Sequence, residues 1–231
     1  MNIWKDGKVT TTISTADVDS VTFGVVDLGG GIYLVDGHKF VDLGLPSGLL
    51  WAETNIGAAT ATDKGDYFAW GETTPKENYS WDTYKYGTSE SDMTKYNPTD
   101  SLAVLENSDD AAYVNWGSSC RMPNINDYFE LFDDSSTTLT WTSKTTASGD
   151  SINGCEITSV RNGNSIFLPA SGATLNNKIF YPERAYYWSA TQSTAYDYAA
   201  YALNISGSNA SSLGAERRKT GISIRPVAEI K

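Results

Sequence analysis

Catalysis needs a nucleophile, a proton carrier or a cluster of ligands, and the chain has few candidates for any of them. The only histidine is His38, so a histidine-based triad would have to be built on it, and no nucleophile stands beside it. Cys120 and Cys155 have neither CxxC spacing nor metal-ligand companions, and they read as buried free thiols with one disulfide as the most they could form. Acidic pairs occur at Asp109-Asp110 and Asp133-Asp134. No motif around them supports paired-carboxylate hydrolysis, and they read as flanks or caps of local structure. Gly29-Gly30-Gly31 lacks the Lys-Ser/Thr and helix that complete a phosphate loop, so it reads as a hinge. The expectation is a non-enzymatic protein without metal or cofactor.

Recognition chemistry is what the chain carries in excess. Its 14 Tyr and 7 Trp are more than a core requires, so some rings belong at a surface. The segments Gln192–Tyr198 and Ser206–Thr220 are rich in Ser, Ala, Tyr, Asn and Gly and lack apolar spacing, which predicts surface loops. Tyrosine supplies large contact area at low entropic cost, while Ser, Asn and Gly adapt their hydrogen bonds, which is the chemistry of a paratope. The candidate contacts are Tyr186, Thr194, Tyr196, Tyr198, Ser206, Ser208, Asn209, Ser211, Arg217 and Arg218. The expected partner is a protein or glycan receptor on a cell surface. A net charge of −11 sets nucleic acid and anionic membranes aside. No run approaches the ~20 apolar residues of a membrane span, so no membrane insertion is expected. The start MNIWKDGK lacks the apolar core of a signal peptide.

Those loops need a framework. Ala185–Thr191, Ala199–Ile205 and Gly221–Val227 alternate apolar and polar residues, with Tyr201, Leu203 and Ile205 on one face and Ile222 and Ile224 on another. A small hairpin is predicted from Asn2–Trp4, an Asp6-Gly7 turn and Val9–Ile13, with a return strand at Val21–Phe23. Residues 1–31 read as an amino-terminal appendage and 32–231 as the main domain. Further strands follow to about Glu72, then a long polar stretch dotted with aromatic residues to about Asp110. One helix is predicted from Asn124, the N-cap, with Asp127 at the third helical position and Ile125, Tyr128, Phe129 and Phe132 on a core face. Arg161–Asn164 reads as a hairpin turn. The fold class is α+β with antiparallel strands dominant.

Several motifs also resemble a known family. HKFVDLGLPSGLLWAETNIGA (His38–Ala58), GDYFAWGETTPK (Gly65–Lys76), DDAAYVNWGSSCRMPN (Asp109–Asn124), NGNSIFLPASG (Asn162–Gly172), YYWSAT and GISIRPV together resemble the Fibrobacter major paralogous domain abundant in gut Bacteroidetes, in order over roughly residues 38–227. The resemblance implies a C-type-lectin-like fold related to formylglycine-generating-enzyme domains. It places Trp51, Trp70, Trp116 and Trp188 in the core. Trp81, amid ENYSWDTYKY, reads as packing the long loop, with exposure as the alternative, and Arg225, in a strand motif, reads as a buried arginine paired with a carboxylate. Neither cysteine matches a formylglycine-generating site. Calcium-dependent sugar binding in such folds uses Glu-Pro-Asn or Gln-Pro-Asp followed by Trp-Asn-Asp; Met122-Pro123-Asn124 and Asn97-Pro98-Thr99 lack the needed ligand.

Some proteins of this fold are variable proteins of diversity-generating retroelements, whose mutagenised AAY codons reach Asn, Asp, Tyr, Ser, Thr, Ala, Gly and Arg. Residues 185–220 are dominated by that set, with Gln192, Glu216 and Lys219 as fixed positions. The resemblance thus implies a calcium-independent receptor-binding protein, an adhesin or phage-tail component, with a carboxyl-terminal surface open to diversification. The alternative is a structural or assembly module of a cell-surface or phage-tail complex. A phage or prophage virion fits the leaderless start, and the bacterial surface fits a chain whose leader has been removed.

Overall fold

Segments that alternate apolar and polar residues become strands, and in the computed structural model of the chain their pairings are almost all antiparallel. The structure describes residues 2–5, 8–12, 14, 24–207 and 211–229. β1 (Asn2–Lys5) and β2 (Lys8–Thr12) form the expected hairpin, while its Asp6-Gly7 turn and the return strand at Val21–Phe23 lie outside the described residues. β3 (Val26–Gly29), β4 (Ile32–Val35), β5 (His38–Asp42) and β6 (Leu50–Ala52) follow as an antiparallel meander.

The glycine triplet is a turn and not a hinge. Gly29, Gly30 and Gly31 take φ of 84°, 64° and 76° to reverse the chain between β3 and β4, a region that side chains disfavour. The boundary expected after residue 31 therefore falls inside a hairpin, and the sheet begins at Val26.

The long stretch to Asp110 is ordered with little regular structure, carrying short 3₁₀ turns at Trp81–Thr83 and Asn107–Asp109. It is tied at its end by the buried carboxylate of Asp109. That group accepts hydrogen bonds from the Tyr86 and Tyr96 hydroxyls at 2.5 and 2.7 Å and pairs with Lys95 and Lys85 at 2.5 and 3.2 Å. Burial alone would raise its pKa, but these donors outweigh it and hold the group down at about 2. The neighbouring Asp110 is the N-cap of α1 (Ala111–Trp116), accepting from the Ala112 and Tyr113 amides.

β7 (Cys120–Arg121) leads into α2 (Ile125–Leu131), whose capping box of Asn124 and Asp127 forms as read. The buried face of α2 is Tyr128 and Leu131. Phe129, expected in the core, is 59% exposed. In a helix this short one narrow stripe meets the protein, and Phe129 follows Tyr128 by one residue, some 100° around the axis.

β8 (Thr137–Thr145), β9 (Ser151–Ser159) and β10 (Ser165–Pro169) form a sheet in the order β10-β9-β8, with Arg161–Asn164 turning β9 into β10 as predicted. β11 (Ala173–Leu175) and β12 (Lys178–Phe180) make a further hairpin. β13 (Ala185–Gln192), β14 (Ala199–Ile205) and β15 (Ser211–Arg217) form the sheet β13-β14-β15. β15 overturns the expectation that Ser206–Thr220 is a loop. It is an outer strand whose side chains are mostly exposed, so the apolar alternation that marks a half-buried strand is missing.

β16 (Gly221–Ile222) joins β11, and β17 (Val227–Ala228) inserts between β6 and β7, giving the order β3-β4-β5-β6-β17-β7. Two apolar clusters fill the two sides of these strands. Phe40, Leu50, Trp70, Trp188, Ile222 and Ile224 belong to one cluster. Val41, Trp51, Tyr128, Tyr187, Leu203 and Ile205 belong to the other. Adjacent residues such as Tyr187 and Trp188 therefore sit in different clusters, because successive side chains point to opposite faces.

Cys120 and Cys155 are free, buried, and divided between the two clusters. Arg225 is fully buried, but a carboxylate partner was the wrong expectation. Its guanidinium donates to Asn55 Oδ1 at 2.8 Å and to the carbonyls of Ala52, Glu53 and Phe167 at 3.0, 2.8 and 2.9 Å. Backbone carbonyls and a side-chain amide oxygen satisfy a buried donor fork without a carboxylate.

Candidate ligand-binding surface

β13 is the base on which the surface stands. Trp188 Nε1 donates to Phe68 O at 2.8 Å, Trp70 Nε1 to Ser189 O at 2.8 Å, and the Tyr128 and Tyr187 hydroxyls to Trp188 O and Pro169 O at 3.1 and 2.9 Å. Every polar tip of these large side chains is spent on a carbonyl, which locks the strand's position as well as burying area.

The 193–198 loop rises from this base as an exposed but tethered turn. Ser193 N donates to Ala199 O and Ala199 N to Tyr196 O, both at 3.1 Å, and Ala195 N donates to Ser193 Oγ at 3.2 Å. Tyr196, 53% exposed, stacks on Tyr198 with ring centroids 5.3 Å apart. Exposed Thr194 shares a hydrogen bond of 2.9 Å between its Oγ1 and the Tyr201 hydroxyl. Tyr201 was read only as a strand-face residue. It is half-buried and holds the loop from below, a role that its place two residues after Ala199 does not reveal. Beside the loop lies a shallow groove of about 290 Å³, bordered by Asn97, Leu102, Gln192, Thr194 and Asp197. Gln192 N donates to Ala103 O at 2.8 Å across it.

Arg217 completes this end of the surface. It is exposed at the end of β15, opposite Ala199, and its Nε meets Glu90 Oε1 at 2.5 Å, an ion pair that raises its pKa further. Its neighbour Arg218, also a predicted contact, is 0% exposed and cannot be one. Its guanidinium donates to Lys95 O and Tyr96 O at 3.0 and 2.6 Å and lies over the Trp70 ring at 4.8 Å. Successive residues point to opposite sides, so one arginine faces water and the next fastens the long loop to the sheet.

Tyr186 is likewise a correction. It is 5% exposed, with its hydroxyl donating to Glu216 at 2.5 Å, and burial and that carboxylate both raise its pKa. Ser206 and Ser211 stand at the other end of the β14–β15 hairpin, six residue steps along β14 from Ala199. At ~3.3 Å per residue that is about 20 Å away. Ser208 and Asn209, expected at the same tip, lie outside the described residues. The candidates thus divide into a cluster of Thr194, Tyr196, Tyr198 and Arg217 and a separate serine tip.

The groups weighed for catalysis have structural surroundings. His38 stacks on Trp116 at 3.9 Å, and burial lowers its pKa against the pull of Asp36. Burial pushes both thiols up to about 12, which keeps them protonated at neutral pH. Among the described residues no three His, Cys, Asp or Glu side chains converge as cation ligands, and no helix is long and apolar enough to cross a membrane. Compared with known proteins, the chain matches no family model, no curated protein and no solved structure.

Proposed function

We propose that the chain is a non-enzymatic receptor-binding protein of C-type-lectin-like architecture that grips a protein or glycan through Thr194, Tyr196, Tyr198 and Arg217. The observation that carries this reading is exposed Tyr196 stacked on half-buried Tyr198, on a hydrogen-bonded loop above a doubly buried strand. Two aromatic faces held in place in advance offer apolar area to a sugar ring or a side chain with little ordering cost. The adjoining groove presents Gln192, Thr194 and Asp197 as hydrogen-bonding groups, while the Asn97 amide is taken up by its own loop. The test is the double variant Tyr196→Ala/Tyr198→Ala on arrays of glycans and displayed receptor domains. Binding to whatever the parent chain retains is expected to fall at least ~10-fold, with urea unfolding unchanged. Undiminished binding would remove this surface from consideration.

Retroelement diversification extends the reading. Exposed loop positions tolerate exchange while Trp188, Leu203, Ile205, Ile222 and Ile224 carry burial. It predicts a near-copy of the segment encoding residues 185–227 beside a reverse-transcriptase gene, differing almost wholly at template adenines. Differences spread evenly over the buried positions would reject it.

A further inference from the structure

On the face of the carboxyl-terminal sheet that carries Leu203 and Leu213, α2 and β15 leave a groove of about 370 Å³ lined by Ile125, Phe129, Phe132, Tyr201 and Leu213. Phe129 turns away from the core to stand at its mouth. Its wall on the sheet side includes Ser211, Ser212 and Leu213, the first residues of β15, a strand that pairs with β14 on its inner side and with no strand on its outer side among the described residues.

Sheet edges are usually blunted by Pro, Lys, bulges or brevity. β15 reads Ser-Ser-Leu-Gly-Ala-Glu-Arg, has no Pro or Lys, and keeps unbroken register with β14 over all seven residues. A row of backbone donors and acceptors beside an apolar slot is complementary to one kind of occupant. That occupant is an extended segment whose main chain pairs with the edge and whose alternate side chains drop into the slot.

Charge selects among such segments. Asp133 and Asp134 directly follow Phe132 and are exposed, and the whole chain carries −11. This field favours a basic strand and opposes a second copy of the chain. We infer that the outer edge of β15 with the Phe129–Leu213 groove is a strand-addition site for an extended peptide segment of a partner, one that alternates apolar residues with Lys or Arg. Tyr196 and Tyr198 do not line this groove, and Tyr201 is the residue it shares with the support of their loop, so variants at the two tyrosines separate the sites.

The experiment selects a random-peptide display library against the whole chain and measures the enriched peptides by titration. Enriched sequences are expected to alternate apolar and basic residues. Binding should slow amide exchange in Ser211–Arg217, and methylating alternate peptide nitrogens should weaken it at least ~10-fold, as should Phe129→Ser or Leu213→Lys. Tyr196→Ala/Tyr198→Ala should bind as the parent does. Enrichment of nothing, or of peptides with helical apolar spacing, overturns the proposal. So does loss of binding in the tyrosine variant with retention in Phe129→Ser. Sedimentation that shows a dimer abolished by Leu213→Lys would give the edge to a second copy and also overturn it.

Discussion

β13 and β15 lie in one three-stranded sheet with only β14 between them, and they live in different solvents. β13 is buried on both faces over Ala185–Ala190, and the indoles of Trp70 and Trp188 and the hydroxyls of Tyr128 and Tyr187 end on backbone carbonyls. β15 exposes most of its residues, and its one buried side-chain partnership is Glu216 with Tyr186. Neighbouring strands are ~4.8 Å apart, so the change from core to surface is completed within ~10 Å. An exposed strand can therefore hold a fixed position without burying its own side chains, because it takes that position from a buried strand two places away.

The sharpest break in this contrast comes from the buried strand. Trp188→Ala is expected to cost about 3–5 kcal/mol through lost area and a cavity, and Arg225→Met upwards of about 3 kcal/mol because carbonyls and Asn55 Oδ1 lose their donor. Both are read from urea midpoints at constant m. Adjacent arginines give the next comparison. Arg218→Ala should cost about 1–3 kcal/mol by orphaning the Lys95 and Tyr96 carbonyls. Arg217→Ala removes an exposed ion pair and should stay within about 1 kcal/mol. Equal effects would refute the assignment of one to the core and the other to the surface.

Acid probes the long loop. Asp109 has a depressed folded-state pKa, so its contribution is present above its unfolded value of ~3.9 and is lost as pH falls toward about 2. Protection of the Thr94 amide, which donates to Tyr86 O, should fall relative to its intrinsic exchange rate across that window, and Asp109→Asn should abolish the dependence. The smallest effect is expected on β15. Gly214 has open space at its Cβ position and no positive φ, so Gly214→Thr should shift stability by no more than ~1 kcal/mol, toward greater stability.

The sequence made the buried framework legible and left much of the surface obscure. Asn124 and Asp127 announced α2, Asn162-Gly163 announced the β9–β10 turn, and Trp51, Trp70 and Trp188 were expected in the core, because caps, tight turns and large apolar rings leave strong local signals. β15 left none, since a strand wet on both faces has no period to display. Arg217 and Arg218 are chemically the same, and only the sheet's phase tells them apart. Phe129 read as core because the helix was expected to bury a wider stripe than it does, and the carbonyl partners of Arg225 come from segments far away in the chain.

β17 has a bearing on how the domain is made. Val227 pairs with Trp51 on one side and with Arg121 on the other, so the strand that joins these two edges follows both of them in the chain. Until residues 227–228 are in place, β6 and β7 lack their common neighbour and their inner edges go unpaired. Closure joins segments far apart in the chain, and such non-local pairing belongs to the slow end of folding rates. Before it happens, two open strand edges are free to pair with another chain.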